Sequence, residues 1–307
     1  MRGFVRQGVG RISLVVAVIL GAWGCQRAGK PIVTAPPAQP SKLRIMTYNI
    51  LNGGESKVGG VENRGEILRK VIADLKPDVL ALNECANWHR DNAAPLQKLE
   101  SAFEMSGVMA VTHGLNVSIL VRRGLPILQV LTDTERQANG LVVVEVMAPD
   151  GKPLKILATH MNPFKPDERM KEAKEIVRYI GKDERCIVLG DLNSLSGRDK
   201  FKLEDIPEQH RDRFAVNGEI HTGVIEALEK AGLVDACRFK RPEPKESDRT
   251  VGTTVSEDKA HAGTHLRLDH ILVTSNLTGV VQSVEVIQNE DTNRASDHFP
   301  VVLDLKF

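Results

Sequence analysis

The 307-residue chain is 41% hydrophobic and 26% charged, enough apolar material for one large or two ordinary globular domains. A formal net charge of +1 excludes any global electrostatic argument for a polyanionic partner, and Phe, Trp and Tyr at 4% supply few surfaces for stacking nucleic-acid bases. Three arginines and no acid precede residue 25, so the remainder holds 38 basic and 40 acidic residues, a net of about −2.

Arg2, Arg6 and Arg11 lead into an apolar run over residues 12–23, which meets Gly24-Cys25. A basic start, a short apolar stretch and small residues at the cut describe a secretory signal over residues 1–24. The run is shorter than the roughly 20 apolar residues of a membrane span. An uncleaved anchor, or an ordinary signal with an incidental cysteine, would share this pattern. The reading adopted is a bacterial lipoprotein-type cleavage site with the lipid on Cys25, which places the protein in the cell envelope, tethered to a membrane. Residues 25–42 are rich in Pro and Ala without periodicity and read as a semi-extended tether. One folded domain is expected over residues 43–307, with no internal repeat and no second linker. Its cysteines are Cys85, Cys186 and Cys237. With no Cys-x-x-Cys pair, neither a disulfide framework nor a zinc-thiolate site is indicated.

Short apolar runs predict strands at 43–48, 79–82, 118–122, 141–146, 154–159, 186–189, 268–274, 280–287 and 300–305. Ile67, Leu68, Val71, Ile72 and Leu75 share one helical face between residues 63 and 76, and Pro77 closes the segment. Met170, Ala173, Ile176, Val177 and Ile180 repeat that spacing, and a shorter helix fits 223–231. Residues 194–222 are polar and weakly periodic, either a substrate-facing loop or a solvated insertion. Arg122, Arg123, Arg198, Lys200, Lys202, His210, Arg211 and Arg213 could line a phosphate-rich groove, or be solvated charges. The whole is an α/β mixture of packed sheets flanked by helices.

Polar groups suited to metal or phosphate chemistry repeatedly stand at strand ends. Asn49, Glu84, His160, Asp191 and Asn193 follow apolar runs; Asp297 and His298 precede the last strand, and Asp269 begins another. Each alone admits a structural reading: a turn cap, a surface ion pair or a satisfied core histidine. Asp269 resists that reading most, because an unpaired carboxylate in an apolar strand is costly. If these ends converge, one mouth of the sheets carries four acids, two histidines and two asparagines.

The stretches LRIMTYNILNGG, PDVLALNE, KILATH, IVLGDLNS, RLDHILVT and ASDHFPVVLDL, in that order from Leu43 to Leu305, resemble the endonuclease/exonuclease/phosphatase superfamily. The resemblance implies a four-layer α/β/β/α sandwich, two central mixed sheets flanked by helices, with the active site at one edge. It implies that Asn49 and Glu84 hold Mg²⁺ or Mn²⁺ with Asp297 near the ion, oxygen donors being suited to such hard cations. By the same resemblance Asp191 orients or deprotonates the attacking water, Asn193 holds the water or the phosphate, and His160 donates to a phosphoryl oxygen. Asp269 would fix the tautomer and charge of His298. Asn83 stands where the family commonly has Gln. His160 stands where abasic-site endonucleases carry Tyr, and Arg267-Leu268-Asp269-His270 replaces the inositol polyphosphate phosphatase signature; both departures point away from those subfamilies. The expected function is a divalent-metal-dependent phosphoester hydrolase acting on a phosphodiester, with nucleic acid or a phospholipid headgroup as candidate substrates and a monomeric protein. A phosphomonoesterase of the same fold and a non-catalytic surface-binding protein are the alternatives.

Overall fold

The computed structural model describes residues 41–55, 58, 60–61, 64–181, 184–251 and 265–307. The expected signal peptide, Cys25 and nearly all of the tether lie outside the described residues. One sheet contains β1 (Lys42–Asn49), β2 (Val79–Asn83), β3 (Met105–Ala110) and β4 (Val117–Arg122), joined by the last two strands, β13 (Val281–Val286) and β14 (Val301–Lys306). Its order is β13-β14-β1-β2-β4-β3. The other contains β5 (Ile127–Asp133), β6 (Leu141–Met147), β7 (Pro153–His160), β8 (Cys186–Asp191), β11 (Leu233–Asp235) and β12 (Asp269–Thr274), in the order β11-β12-β8-β7-β6-β5. Helices α1 (Gly65–Leu75), α2 (Ala94–Ala102), α3 (Pro166–Tyr179) and α5 (Gly223–Lys230) cover the outer faces. The result is the four-layer sandwich that the sequence resemblance implies.

Strand alternation explains the layers. Leu43, Ile45, Val79, Ala81, Ile156, Ala158, Ile187, Leu189, Ile271 and Val273 point between the sheets and form the central core. Met46, Tyr48, Leu80 and Leu82 point outward against Leu68, Val71 and Ile72 of α1 and Leu96 and Leu99 of α2. On the far side Leu157, Val188 and Leu272 meet Ala173 and Ile176 of α3 and Val224, Ile225 and Leu228 of α5. Strands buried on both faces read as continuous apolar runs, which is why the central ones were visible in the sequence.

The same alternation places the chemistry. Each sheet has one parallel pair, β1–β2 and β7–β8, and each pair is joined by a crossover helix, α1 or α3. The carboxyl ends of those four strands therefore share one edge. The antiparallel neighbours β12 and β14 start at that edge, with Asp269 opposite Asp191 and Val301 opposite Thr47. In inward register beyond the central core come Asn49, Asn83, His160, Asp191 and Asp269, so the functional mouth is the polar end of the inter-sheet core.

Residues 194–222 are not a bare solvated loop. They include α4 (Arg211–Phe214) and the hairpin β9 (Ala215–Val216)–β10 (Glu219–Ile220). Leu195, Ile206 and Phe214 are buried with Val251, Leu266 and Leu268 in a small satellite core. A buried ionic cluster fastens this region to the sheet: Arg267 pairs with Asp199 at 2.9 Å and Asp235 at 2.6 Å, and Arg238 pairs with Asp199 at 2.6 Å and Asp248 at 2.8 Å. Arg238 and Asp248 belong to α6 (Ala236–Lys240) and the segment after it; α7 (Glu290–Ala295) precedes the last strand.

Of the eight residues considered for a basic groove, three are engaged in ion pairs. Arg122 pairs with Asp78 at 2.6 Å, at the end of β2 opposite the mouth, Arg198 lies 3.2 Å from Glu229, and Lys200 lies 2.7 Å from Glu243. Cys85, Cys186 and Cys237 are free and buried. Among the described residues no helix is long and apolar enough to cross a membrane.

Candidate active site

Asp191 is the centre of the mouth and fully buried. Its Oδ2 accepts from Asn49 Nδ2 at 3.0 Å and lies 3.6 Å from His160 Nε2 and 3.8 Å from His298 Nε2, while Oδ1 accepts from the backbone N–H of Asn193 at 2.9 Å. Those contacts are set from behind by Asn83, which joins the two sheets. Its Nδ2 donates to the Thr159 carbonyl at 3.0 Å and its Oδ1 accepts from the Asp191 N–H at 2.9 Å. Gly190 makes that approach possible: its φ is +135°, and a Cβ there would stand 1.9 Å from the Thr159 carbonyl oxygen.

Asn49 bridges the two halves of the mouth. Its Nδ2 donates to Glu84 Oε1 at 2.9 Å as well as to Asp191, and its Oδ1 accepts from the Leu51 N–H at 3.0 Å. Two carboxylate acceptors and one N–H donor fix which end of the amide is which. Glu84 has φ +61°, a left-handed conformation rare for a non-glycine residue, and its Oε2 accepts from the Asn52 N–H at 3.0 Å. Arg64, fully buried, ties this loop to the segment before the last strand by donating to the carbonyls of Ile50 at 3.0 Å, Leu51 at 2.6 Å and Ala295. Asp297 is buried beside it. Burial pushes its carboxyl up to about 6, with His298 and Arg64 opposing and Glu84 adding to the rise.

On the other flank His298 Nδ1 and Asp269 Oδ2 are 2.7 Å apart, both buried. Burial alone would lower the imidazole, but Asp269, as charge and as hydrogen-bond partner, outweighs it with Asp191 and Asp297, and the His298 pKa rises well above its ordinary value. Burial and Asp191 raise Asp269 while His298 and the Thr250 hydroxyl pull it down. The pair therefore holds its proton on the imidazole. Thr250 braces Asp269 and the residue after His298: Oγ1 accepts from the N–H groups of Leu268 at 2.9 Å and Asp269 at 3.0 Å, and its carbonyl accepts from the Phe299 N–H at 2.7 Å. Asp191, Asp269 and His298 offer ligand atoms within 4.8 Å of one another.

All eight positions expected from the sequence thus converge on one mouth. Several polar atoms there have no hydrogen-bond partner within the protein: both His160 ring nitrogens, Asn193 Oδ1 and Asp269 Oδ1. Buried polar groups are normally satisfied, so this set fits a bound ligand that supplies donors, acceptors and charge. Four buried carboxylates converging on one mouth suit a cation, and the donors are oxygens. Arg64 and Thr250 were missed, and Asn83 was noted only for standing where the family commonly has Gln. Its place at the mouth could have been found, because it continues the inward register of Val79 and Ala81; Arg64 and Thr250 carry no local signal.

Buried acids, two histidines and two asparagines meet at the open edge of a two-sheet sandwich. The chain belongs to the Endonuclease/Exonuclease/phosphatase family, whose model matches residues 46–298, and members of that family are phosphoester hydrolases. Among solved structures the chain is similar to an AP endonuclease from Archaeoglobus fulgidus, with 17% identity over 86% of this chain and 100% of that one and a TM-score of 0.64. It is similar to the 3′ phosphatase NExo from Neisseria bound to product DNA hairpin, with 20% identity over 86% and 100% and a TM-score of 0.62. It is also similar to humanized D. rerio TDP2, with 19% identity over 87% and 100% and a TM-score of 0.61. These likenesses establish the fold. No curated protein sequence matches the chain significantly.

Proposed function

We propose that the protein is a Mg²⁺- or Mn²⁺-dependent phosphodiesterase. The observation that carries this reading is the convergence of Asn49, Glu84, His160, Asn193, Asp269, Asp297 and His298 around the buried Asp191 carboxylate. Glu84 would hold the ion, with Asn49 through the remaining lone pair of Oδ1 and Asp297 beside them. The ion supplies Lewis-acid polarisation of a phosphoryl oxygen and neutralises the leaving oxygen.

This chain's own residues do the rest. Asp191 Oδ2 accepts the proton of the attacking water. Asn193 holds that water or the phosphate: one N–H of its Nδ2 is engaged by the Met161 carbonyl at 3.1 Å, and its Oδ1 can accept from a water O–H. His160 donates to the phosphoryl group. His298, held as imidazolium by Asp269, faces the negative charge that grows on the phosphoryl oxygens in the transition state.

A phosphomonoesterase is the second reading, favoured by the likeness to a 3′ phosphatase. Export with a lipid on Cys25 is supported by Arg2, Arg6, Arg11, the apolar run and Gly24-Cys25. The test is hydrolysis of bis-p-nitrophenyl phosphate and p-nitrophenyl phosphate, with and without EDTA. Diester turnover should vanish in EDTA and return with Mg²⁺ or Mn²⁺. Full activity in a chelated preparation overturns the metal assignment, and turnover of the monoester alone selects the second reading.

A further inference from the structure

We propose that Phe164 is a stacking platform for a single nucleobase next to the scissile phosphate, so that the ester hydrolysed is that of a nucleotide; this rests on the phosphoester-hydrolase reading above.

Phe164 is 65% exposed, in a chain that otherwise has few aromatics to spare. It sits four residues after His160, so its Cα lies within about 14 Å of that of the histidine even if the segment were fully extended. The segment is not extended, and it is not loose. The Asn162 side chain accepts from the N–H groups of Phe164 and Lys165, both at 2.9 Å, and turns the chain. Asn193 donates to the Met161 carbonyl at 3.1 Å, Arg169 to the Asn162 carbonyl at 3.0 Å and Arg213 to the Pro163 carbonyl at 2.8 Å, while Glu172 accepts from the Asn162 N–H at 2.8 Å. Every residue between His160 and Phe164 is therefore pinned, one of them directly by Asn193 of the catalytic mouth.

The ring is backed by a column of cations and aromatics. The Arg213 guanidinium lies 5.4 Å from the Phe164 centroid and 5.6 Å from that of the buried Phe214, and Arg169 lies 5.9 Å from Phe214 on the inward side. Both arginines donate to the loop they support, and Arg169 also donates to the Arg213 carbonyl. A flat apolar face held rigid within about 14 Å of His160, with positive charge behind it, matches a planar π-system carried by a phosphate. The insertion at residues 194–222 supplies Arg213 and Phe214, which gives that region a role at the mouth.

A lipid is the poorer fit. Phe164 is followed by Lys165, Pro166 and Asp167, and the main group of exposed apolar side chains, Ile127, Leu128, Val130 and Leu131, lies on β5, the edge strand two places from β7. A long polymer is also a poorer fit, because residues 25–307 carry a net charge of about −2 and Arg122, Arg198 and Lys200 are each paired with an acid. One platform, one base and one phosphate is the unit that the surface can recognise.

The experiment compares thymidine 5′-(p-nitrophenyl phosphate) with methyl p-nitrophenyl phosphate, which share a leaving group and differ in the base. Phe164→Ala should raise KM for the nucleotide ester about 5- to 150-fold, the span of base–aromatic stacking strengths, with kcat within twofold and the methyl ester unaffected. Phe164→Trp should retain the preference. An unchanged KM, or an equal rise for both esters, overturns the proposal while leaving the hydrolase reading intact. Turnover of phosphatidylcholine vesicles that falls selectively in Phe164→Ala also overturns it, and assigns the ring to lipid. Failure of the unaltered protein to cleave any phosphoester would refute the hydrolase reading. Binding still decides the stacking in that event: the unaltered protein should quench 2-aminopurine riboside 5′-monophosphate, and equal quenching by Phe164→Ala sinks the platform.

Discussion

Replacing Asp269 by Asn separates catalysis from architecture at the centre of the site. The side chain keeps its size and most of its hydrogen-bonding capacity, and the backbone N–H held by Thr250 at 3.0 Å is untouched. What disappears is the negative charge 2.7 Å from His298 Nδ1 in a fully buried setting. For two unit charges about 4 Å apart at an effective dielectric near 20, that interaction is worth about 4 kcal/mol, or roughly 10³ in rate if it is needed only for the imidazolium of the transition state. Positioned acid–base groups typically contribute about 10²–10⁴-fold, so the two estimates agree. We expect kcat for a diester to fall in that range with a melting temperature lowered by only a few degrees. His298→Ala should cost a similar factor, and the double variant little more than either single one, because the pair acts as a unit. The pH profile carries a second sign. Asp269 raises the His298 pKa against the lowering effect of burial, so the alkaline limb of activity should move to lower pH in Asp269→Asn. The corresponding stability, present in full below the ordinary histidine value and lost as pH rises through the folded one, should shrink with it. Losses that multiply across the double variant, or an alkaline limb that does not move, would refute the pairing.

Asn83→Leu should destabilise the domain by about 2–6 kcal/mol, since it strands the Asp191 N–H and the Thr159 carbonyl in the inter-sheet core at about 1–3 kcal/mol each. Urea denaturation reads this directly, and a loss under 1 kcal/mol would show that the two sheets are held at the mouth by something else. Cys25→Ser should abolish palmitate incorporation and leave the precursor unprocessed or released; a mature N-terminus mapped to any other residue refutes the lipid assignment.

What the sequence made legible follows from where burial was two-sided. β1, β2, β7 and β8 are covered on both faces, and their apolar runs end at Asn49, Asn83, His160 and Asp191. β5 was invisible for the opposite reason: as an edge strand with Ile127 to Thr132 exposed, it shows no alternation between a buried and a wet face. β3 was hidden by Ser106 and Gly107, the latter letting Leu96 of α2 come within 3.0 Å of where a Cβ would be, and α2 itself buries only Leu96 and Leu99, too few anchors to mark a period. The site divides along the same line. Residues at strand ends could be placed together from topology alone, because two parallel pairs and two antiparallel returns bring those ends to one edge. Thr250 and Arg64 could not, since each reaches its partners from an irregular segment whose course depends on the finished fold. Arg213 is the sharpest case. In the sequence it is one charge in a basic run, indistinguishable from Arg211 two residues earlier. In the structure it is stacked between Phe164 and Phe214 over the loop that follows His160. A charge run states that cations are available; only the packing of Phe214 into the satellite core determines which one is turned over Phe164.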